Sequence, residues 1–232
     1  MSKNLFKRIL TSLMLLILLL ITIFSYNIVF ILSLFILCCI VCFEANSIFE
    51  KIVNKNNLKI HKKKNDKKKF SIKFLFLNIV TFLYVFLIFF QLSYQIYKIG
   101  GPIFFLLVIS ICFFSDIGGY FIGKLIGGKK LTKISPNKTL SGSIGSFLFS
   151  LIPLFVLNQF EYLDLKLSFS TIALIISISC VSQIGDLFIS YLKRKAKIKD
   201  TGKILPGHGG ILDRVDGIIF ALPFSYFILK II

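Results

Sequence analysis

The residues able to do chemistry crowd into one stretch, residues 190–216, which reads SYLKRKAKIKDTGKILPGHGGILDRVD. Lys193, Arg194, Lys195, Lys197, Lys199 and Lys203 offer many donors to a polyanion. The turn Pro206-Gly207-His208-Gly209-Gly210 lets backbone N–H groups come close to a ligand, because glycine carries no Cβ to hold it off. Asp213 and Asp216 stand three apart at the start of an apolar run, so on a helix their carboxylates share one face. Cations, a backbone nest and two carboxylates together suit a phosphate chain carrying Mg²⁺.

The rest of the chain must position that stretch, and its composition says in what medium. Of 232 residues 56% are hydrophobic, 27 are Phe, and the mean hydropathy is +0.87. That is far too apolar for one water-soluble core and points to an all-α fold, a polytopic integral membrane helix bundle. A net charge of +18 would suggest nucleic acid in a soluble protein. Here the cations sit in short segments between apolar spans, which favours membrane orientation and anionic lipid headgroups, and no nucleic-acid-binding motif accompanies them. Cys38, Cys39, Cys42, Cys112 and Cys180 all lie inside apolar segments, and Cys39-x-x-Cys42 has no second pair or histidine nearby, so they are packing residues rather than zinc ligands.

Apolar runs at about 9–24, 28–43, 70–90, 103–126, 144–157, 171–192 and from 216 to the end give about seven transmembrane helices. A lysine-rich loop at residues 51–69, with His61 and Lys62-Lys63-Lys64, reads as a solvated cytoplasmic connector, and Gly100-Gly101-Pro102 breaks the chain before the fourth run. Asp116 lies about 20 Å along that run at ~1.5 Å per residue, a depth that calls for a polar cavity or a partner. Gly119, Gly123 and Gly127 recur every four residues nearby and read as close helix packing. Hydroxyls flank Lys138 in Ser135-Pro136-Asn137-Lys138-Thr139, beside a helix start, where orphan N–H groups favour an anion.

In the sixth run, Ser179, Ser182, Gln183, Asp186, Ser190 and Lys193 follow helical spacing and form a polar stripe leading from mid-membrane to the cationic loop, read as the wall of a water-filled cavity. With the N-terminus in the cytoplasm, Lys3, Lys7, Arg8 and the basic loops at 51–73, 124–138 and 193–214 all fall on one side, leaving Lys98, Lys166 and Lys230 on the other. That asymmetry places the active loops on the cytoplasmic face. Asp186, Asp213 and Asp216 can then converge, and three hard carboxylates without clustered His or Cys point to Mg²⁺.

The pattern S-x-x-K-R, K-D, P-G-H-G-G and L-D-R-x-D, complete from Ser190 through Asp216, resembles the signature of the phosphatidate cytidylyltransferase (CDP-diacylglycerol synthase) family. A second block, Ser115-Asp116-Ile117-Gly118-Gly119-Tyr120 through Ser135 to Thr139, is similar to the family's other motif, and before it only Glu44, ending the second apolar run, echoes the family. The resemblance implies transfer of the cytidylyl group of CTP to phosphatidate, giving CDP-diacylglycerol and pyrophosphate at the cell inner (plasma) membrane. It implies metal binding by Asp186, Asp213 and Asp216, with Mg²⁺ and a monovalent cation as a second candidate ion. Lys193, Arg194 and His208 join those acids as catalytic residues, and Ser135, Lys138, Thr139, Lys199, Gly209, Gly210, Arg214 and Asp116 serve the substrates. A homodimer is also expected, with residues 1–100 as an N-terminal membrane region and 101–232 as the catalytic one. Two other readings keep part of this picture: a CTP-dependent transferase or kinase acting on another membrane lipid, and an ion-coupled transporter using Asp116 and Asp186. The transporter reading predicts inverted repeats, which the sequence does not display.

Overall fold

The computed structural model describes residues 3–57, 64–159, 168–205, 207 and 209–230. Pro206 and His208 of the glycine turn, His61, Lys62 and Lys63 of the lysine-rich loop, and Lys166 lie outside the described residues. Among the described residues the regular structure is helical, with two isolated bridges, Lys130 to Thr139 and Leu205 to Gly209. The chain forms two compact units, each discontinuous in sequence: Met1–Phe90 with Leu192–Val215, and Gln91–Tyr191 with Asp216–Ile232.

In the first unit, α1 (Lys3–Phe24), α2 (Asn27–Asn57) and α3 (Lys64–Leu83) precede a π-helical segment, Tyr84–Phe90. Buried Phe30, Leu34, Cys38, Val41, Ala45, Ile48 and Ile52 recur along α2 at intervals of three and four, so they form a single face. The π-helical segment meets α2 through Phe35, whose ring stands edge-on to Phe86 and Phe90 at centroid distances of 5.7 and 6.4 Å. The Cys38 thiol points at the Val85 carbonyl at 3.9 Å, in keeping with its role as a packing residue. Glu44 lies among these buried neighbours and is only 2% exposed.

In the second unit, α4 (Gln91–Ile126) bends at Gly101, whose φ of 72° and ψ of 177° belong to a region open essentially to glycine alone. Pro102 adds a residue without an N–H to donate. The expected break is therefore present, yet the helix resumes at once. The apolar run Ile72–Ile126 is 55 residues long and contains both expected spans, 70–90 and 103–126. Gly127, at φ 64°, stops α4 as a left-handed cap and donates to the Gly123 carbonyl at 3.1 Å.

Thr139 starts the next helix, α5 (Leu140–Phe149), by accepting the Gly142 N–H at 3.0 Å. With α6 (Ile152–Gln159) this gives a run of 20 residues, Leu140–Gln159, longer than the 144–157 expected because the cap sets its start. Glycines let α4 and α5 approach closely: a Cβ on Gly118 would sit 2.5 Å from the Gly145 carbonyl, and one on Gly142 2.7 Å from that of Gly119. Gly119 and Gly123 thus pack as expected, whereas Gly127 serves a turn.

The helix α7 (Phe169–Ala196) ends with Lys193, Arg194 and Lys195 in its last turn, where cations complement the helix dipole. A short α8 (Leu212–Val215) is followed by α9 (Ile218–Leu229). At 12 residues, α9 is ~18 Å long, short of a ~30 Å hydrocarbon core. Among the described residues, four helical runs are long and apolar enough to cross a membrane: Asn27–Val53, Ile72–Ile126, Leu140–Gln159 and Phe169–Ala196. The difference from about seven has a plain origin: two expected spans are one helical run, and Ile9–Phe24 and α9 are shorter than the rest.

Candidate active site

The cationic stretch belongs to the first unit and is held by two carboxylates. Asp213, in α8, accepts from the Lys193 ammonium at 2.7 Å through Oδ1, with the two side chains only 7% and 14% exposed. Its Oδ2 accepts from the Thr201 N–H at 2.8 Å, the Thr201 hydroxyl at 3.0 Å and the Gly210 N–H at 3.0 Å. Burial pushes this carboxyl up, but the Lys193 hydrogen bond and the Thr201 and Gly210 amides outweigh it and hold it below the usual carboxylate value.

Glu44 supplies the second carboxylate from α2. Its Oε1 accepts from the Ile211 N–H at 3.0 Å, and its Oε2 from the Leu212 N–H at 2.9 Å and the Thr201 hydroxyl at 2.7 Å. The glycine turn closes on itself, since Leu205 and Gly209 exchange N–H···O bonds of 2.9 and 3.2 Å. The amides of Gly209 and Gly210, expected to face a ligand, are thus given to Leu205 and Asp213 in this arrangement. Arg194, Lys199, Lys203 and Arg214 are exposed around the loop.

The second unit gathers a different set. The Lys138 ammonium pairs with Asp186 Oδ2, the side chains being 29% and 23% exposed, and Asp186 Oδ1 accepts from Ser190 at 3.2 Å. A Cβ on Gly185 would meet the Asp216 carbonyl at 3.0 Å, so Asp216 lies beside the residue that precedes Asp186. Asp216 Oδ1 accepts the Gly217 N–H at 3.0 Å. Asp116 is exposed on α4, and both it and Asp216 act electrostatically on the buried Cys112 thiol. Thr139 caps α5 and bonds to Ser141, while the Ser135 N–H donates to Thr132 Oγ1 in the preceding turn.

The polar stripe of α7 divides in two. Ser179 is fully buried and bonded to Ser115 at 2.8 Å, and Gln183 accepts from Ser143 at 2.6 Å, so this part is a seam between helices rather than a cavity wall. The Asp186 and Ser190 end stays partly open. The structure thus brings Lys193 to Asp213 and Lys138 to Asp186, and sets the Asp216 backbone beside Gly185, while His208 lies outside the described residues.

The donor chemistry suits a hard dication. Every acid offers oxygen, Asp186 is partly open, and among the described residues Asp213 Oδ1 takes a hydrogen bond from Lys193 alone and so keeps a lone pair. Among the described residues, no three His, Cys, Asp or Glu side chains gather as a ready-made ligand group.

Sequence reasoning left Glu44 and Thr201 out of the site. The available signal for Glu44 was an acid closing an apolar run, on the same face as Val41, Ala45 and Ile48.

A helical membrane scaffold with an acid-clamped cationic loop fits a known class, and residues 6–232 match the model of the cytidylyltransferase family, to which the chain belongs. It is similar to phosphatidate cytidylyltransferases of Helicobacter pylori, 44% identical over 147 residues (61% of this chain, 52% of that protein), and Bacillus subtilis, 42% over 118 residues (50% and 44%). The enzyme of that name from Rickettsia bellii is 43% identical over 139 residues, covering 54% of this chain and 55% of the relative. The chain spans about half the length of the curated relatives it matches.

Proposed function

We propose that this protein transfers the cytidylyl group of CTP to phosphatidate. A phosphate oxygen of phosphatidate attacks the α-phosphorus of CTP, a P–O bond forms there, and the bond to pyrophosphate breaks. A phosphate dianion is itself the nucleophile, so no Ser or Cys is needed. Lys193, Arg194, Lys199, Arg214 and His208 neutralise charge moving onto the departing pyrophosphate. Ser135, Lys138 and Thr139 hold phosphate at the second basic loop, Gly209 and Gly210 shape the first, and Asp116 lines the polar end of its helix.

Asp186, Asp213 through its Oδ1, and Asp216 are the acids we assign to Mg²⁺, with a monovalent cation as second ion. When bound, Mg²⁺ supplies charge neutralisation between phosphate oxygens. We further assign about seven crossings with the N-terminus and the active loops in the cytoplasm, a plasma-membrane location, a homodimer, and residues 101–232 as the catalytic region. The reading is carried by the closed lysine and carboxylate clamp at the cationic loop, in a chain that matches the family over residues 6–232.

The test is purified protein in mixed micelles with phosphatidate, Mg²⁺ and α-labelled CTP, followed for label in the lipid, with Asp213→Asn alongside. Label that requires phosphatidate and Mg²⁺ and vanishes in the variant supports the reading. Transfer from γ-labelled CTP to a lipid alcohol replaces it with a kinase.

A further inference from the structure

We propose that Glu44 is a positioning residue: a buried carboxylate on α2 that folds the 201–212 loop around itself and so fixes Asp213 and Lys193 without touching substrate. This rests on the reaction proposed above, although the fold of the loop does not.

Three donors converge on Glu44, and all come from the loop: the Thr201 hydroxyl and the N–H groups of Ile211 and Leu212. Ile211 immediately precedes α8 and Leu212 begins it, where the first N–H groups have no partner within the helix. Glu44 satisfies them from a separation of 167 and 168 residues in sequence, acting as a cap supplied by another helix.

The glycines show how closely the loop wraps. A Cβ on Gly202 would lie 2.6 Å from Glu44 Oε1, and one on Gly210 would overlap both Glu44 Oε2 and Thr201 Oγ1. Two of the loop's glycines therefore admit the Glu44 carboxylate to their backbone. Thr201 then transmits the constraint, since its hydroxyl lies 2.7 Å from Glu44 Oε2 and 3.0 Å from Asp213 Oδ2. The Gly210 amide, held on one side by this contact, gives its hydrogen to the same Asp213 oxygen. What remains of Asp213 is Oδ1, aimed at Lys193.

Glu44→Gln is nearly isosteric but puts an N–H₂ where only donors point, so at least one loop donor loses its acceptor. The loop is read first without substrate, by hydrogen–deuterium exchange on detergent-solubilised protein. Amides of residues 201–213 should lose at least tenfold in protection while those of α4 and α7 stay within about twofold. Under CTP and phosphatidate, kcat should fall on the order of tenfold to a hundredfold, with the KM for phosphatidate within about twofold. Thr201→Val removes only the linking hydroxyl and should give the same pattern more weakly; combined with Glu44→Gln it should cost little more than Glu44→Gln alone, because the two act as one unit.

Unchanged loop protection in both variants overturns the proposal, as does wild-type kcat in Thr201→Val. Equal loss of protection across all helices would make Glu44 a general fold residue and also overturn it; if Glu44→Gln does not fold, Thr201→Val alone decides. Absence of cytidylyl transfer in the unmutated protein would sink the proposed reaction but leave the exchange result to judge the clamp.

Discussion

Two lysine–aspartate pairs occupy the two units, and they differ in how far water reaches them. Lys193 and Asp213 are nearly enclosed, and the second oxygen of Asp213 accepts the Thr201 and Gly210 N–H groups and shares the Thr201 hydroxyl hydrogen with Glu44. Lys138, in the loop before α5, and Asp186, on α7, stand about a quarter open. An enclosed pair has already lost its water, so separating its members leaves a desolvated charge and is expensive. An open pair is worth about 0–1 kcal/mol and can exchange its partner for a ligand at little cost. Similar chemistry therefore carries different constraints: the enclosed pair, besides the roles proposed for Lys193 and Asp213, holds a loop in shape, and the open pair can give up its partner without disturbing the fold.

The strongest way to break this comparison is Asp213→Ala. It strands the Lys193 ammonium and the Thr201 and Gly210 amides, and it should cost about 3–5 kcal/mol, the range for removing one member of a buried pair. A large drop in the melting temperature in detergent, with activity lost, is the expected result; a melting temperature close to that of the unmutated protein would show the pair to be as replaceable as the open one. The same clamp sets a pH dependence. Because the folded-state carboxyl is held below its ordinary value near ~3.9, its stabilisation is complete above that value and is lost as pH falls through the lowered one. Acid unfolding of the unmutated protein should therefore include a contribution that Asp213→Ala lacks.

Lys138→Met sharpens the comparison from the other side. The pair it removes is partly solvated, so the melting temperature should stay within the effect of about 1 kcal/mol. If Lys138 meets phosphate as proposed, kcat/KM for CTP should fall on the order of a hundredfold, the scale for removing one charge-stabilising donor. A stability loss as large as that of Asp213→Ala would erase the distinction between the pairs.

How much of this was legible in the sequence follows from the range of each interaction. The helical class, the packing of Gly119 and Gly123, and the cationic end of α7 depend on neighbours three or four residues apart, and sequence spacing reports those directly. The bond from Thr201 to Glu44 spans 157 residues, and Lys138 reaches Asp186 from the loop before α5, so no local pattern announces either. The stripe on α7 shows the same limit: its spacing was correct, but the bonding of Ser179 to Ser115 and Gln183 to Ser143 depends on which helices come alongside. The hydroxyl of Thr139 stood out beside a helix start, and it caps that helix. The π-helical turn at Tyr84–Phe90 has no sequence signature of its own, since its residues would equally suit an α-helix.

The smallest effect lies just outside the enclosed pair. At the end of α7 the Ile198 N–H bonds to the Lys193 carbonyl at 3.0 Å and the Lys197 N–H to that of Arg194 at 3.1 Å, a Schellman arrangement that requires a left-handed residue between them. That residue is Lys197, at φ 58°, where glycine is the usual occupant. Lys197→Gly relieves the Cβ strain but gives the unfolded chain more freedom, so the net gain should be at most about 1 kcal/mol. A small rise in melting temperature with unchanged activity is the expected reading. If activity falls instead, the Lys197 cation works on the ligand side of the loop, and the strain is the cost of placing a charge one residue beyond the helix that carries Lys193.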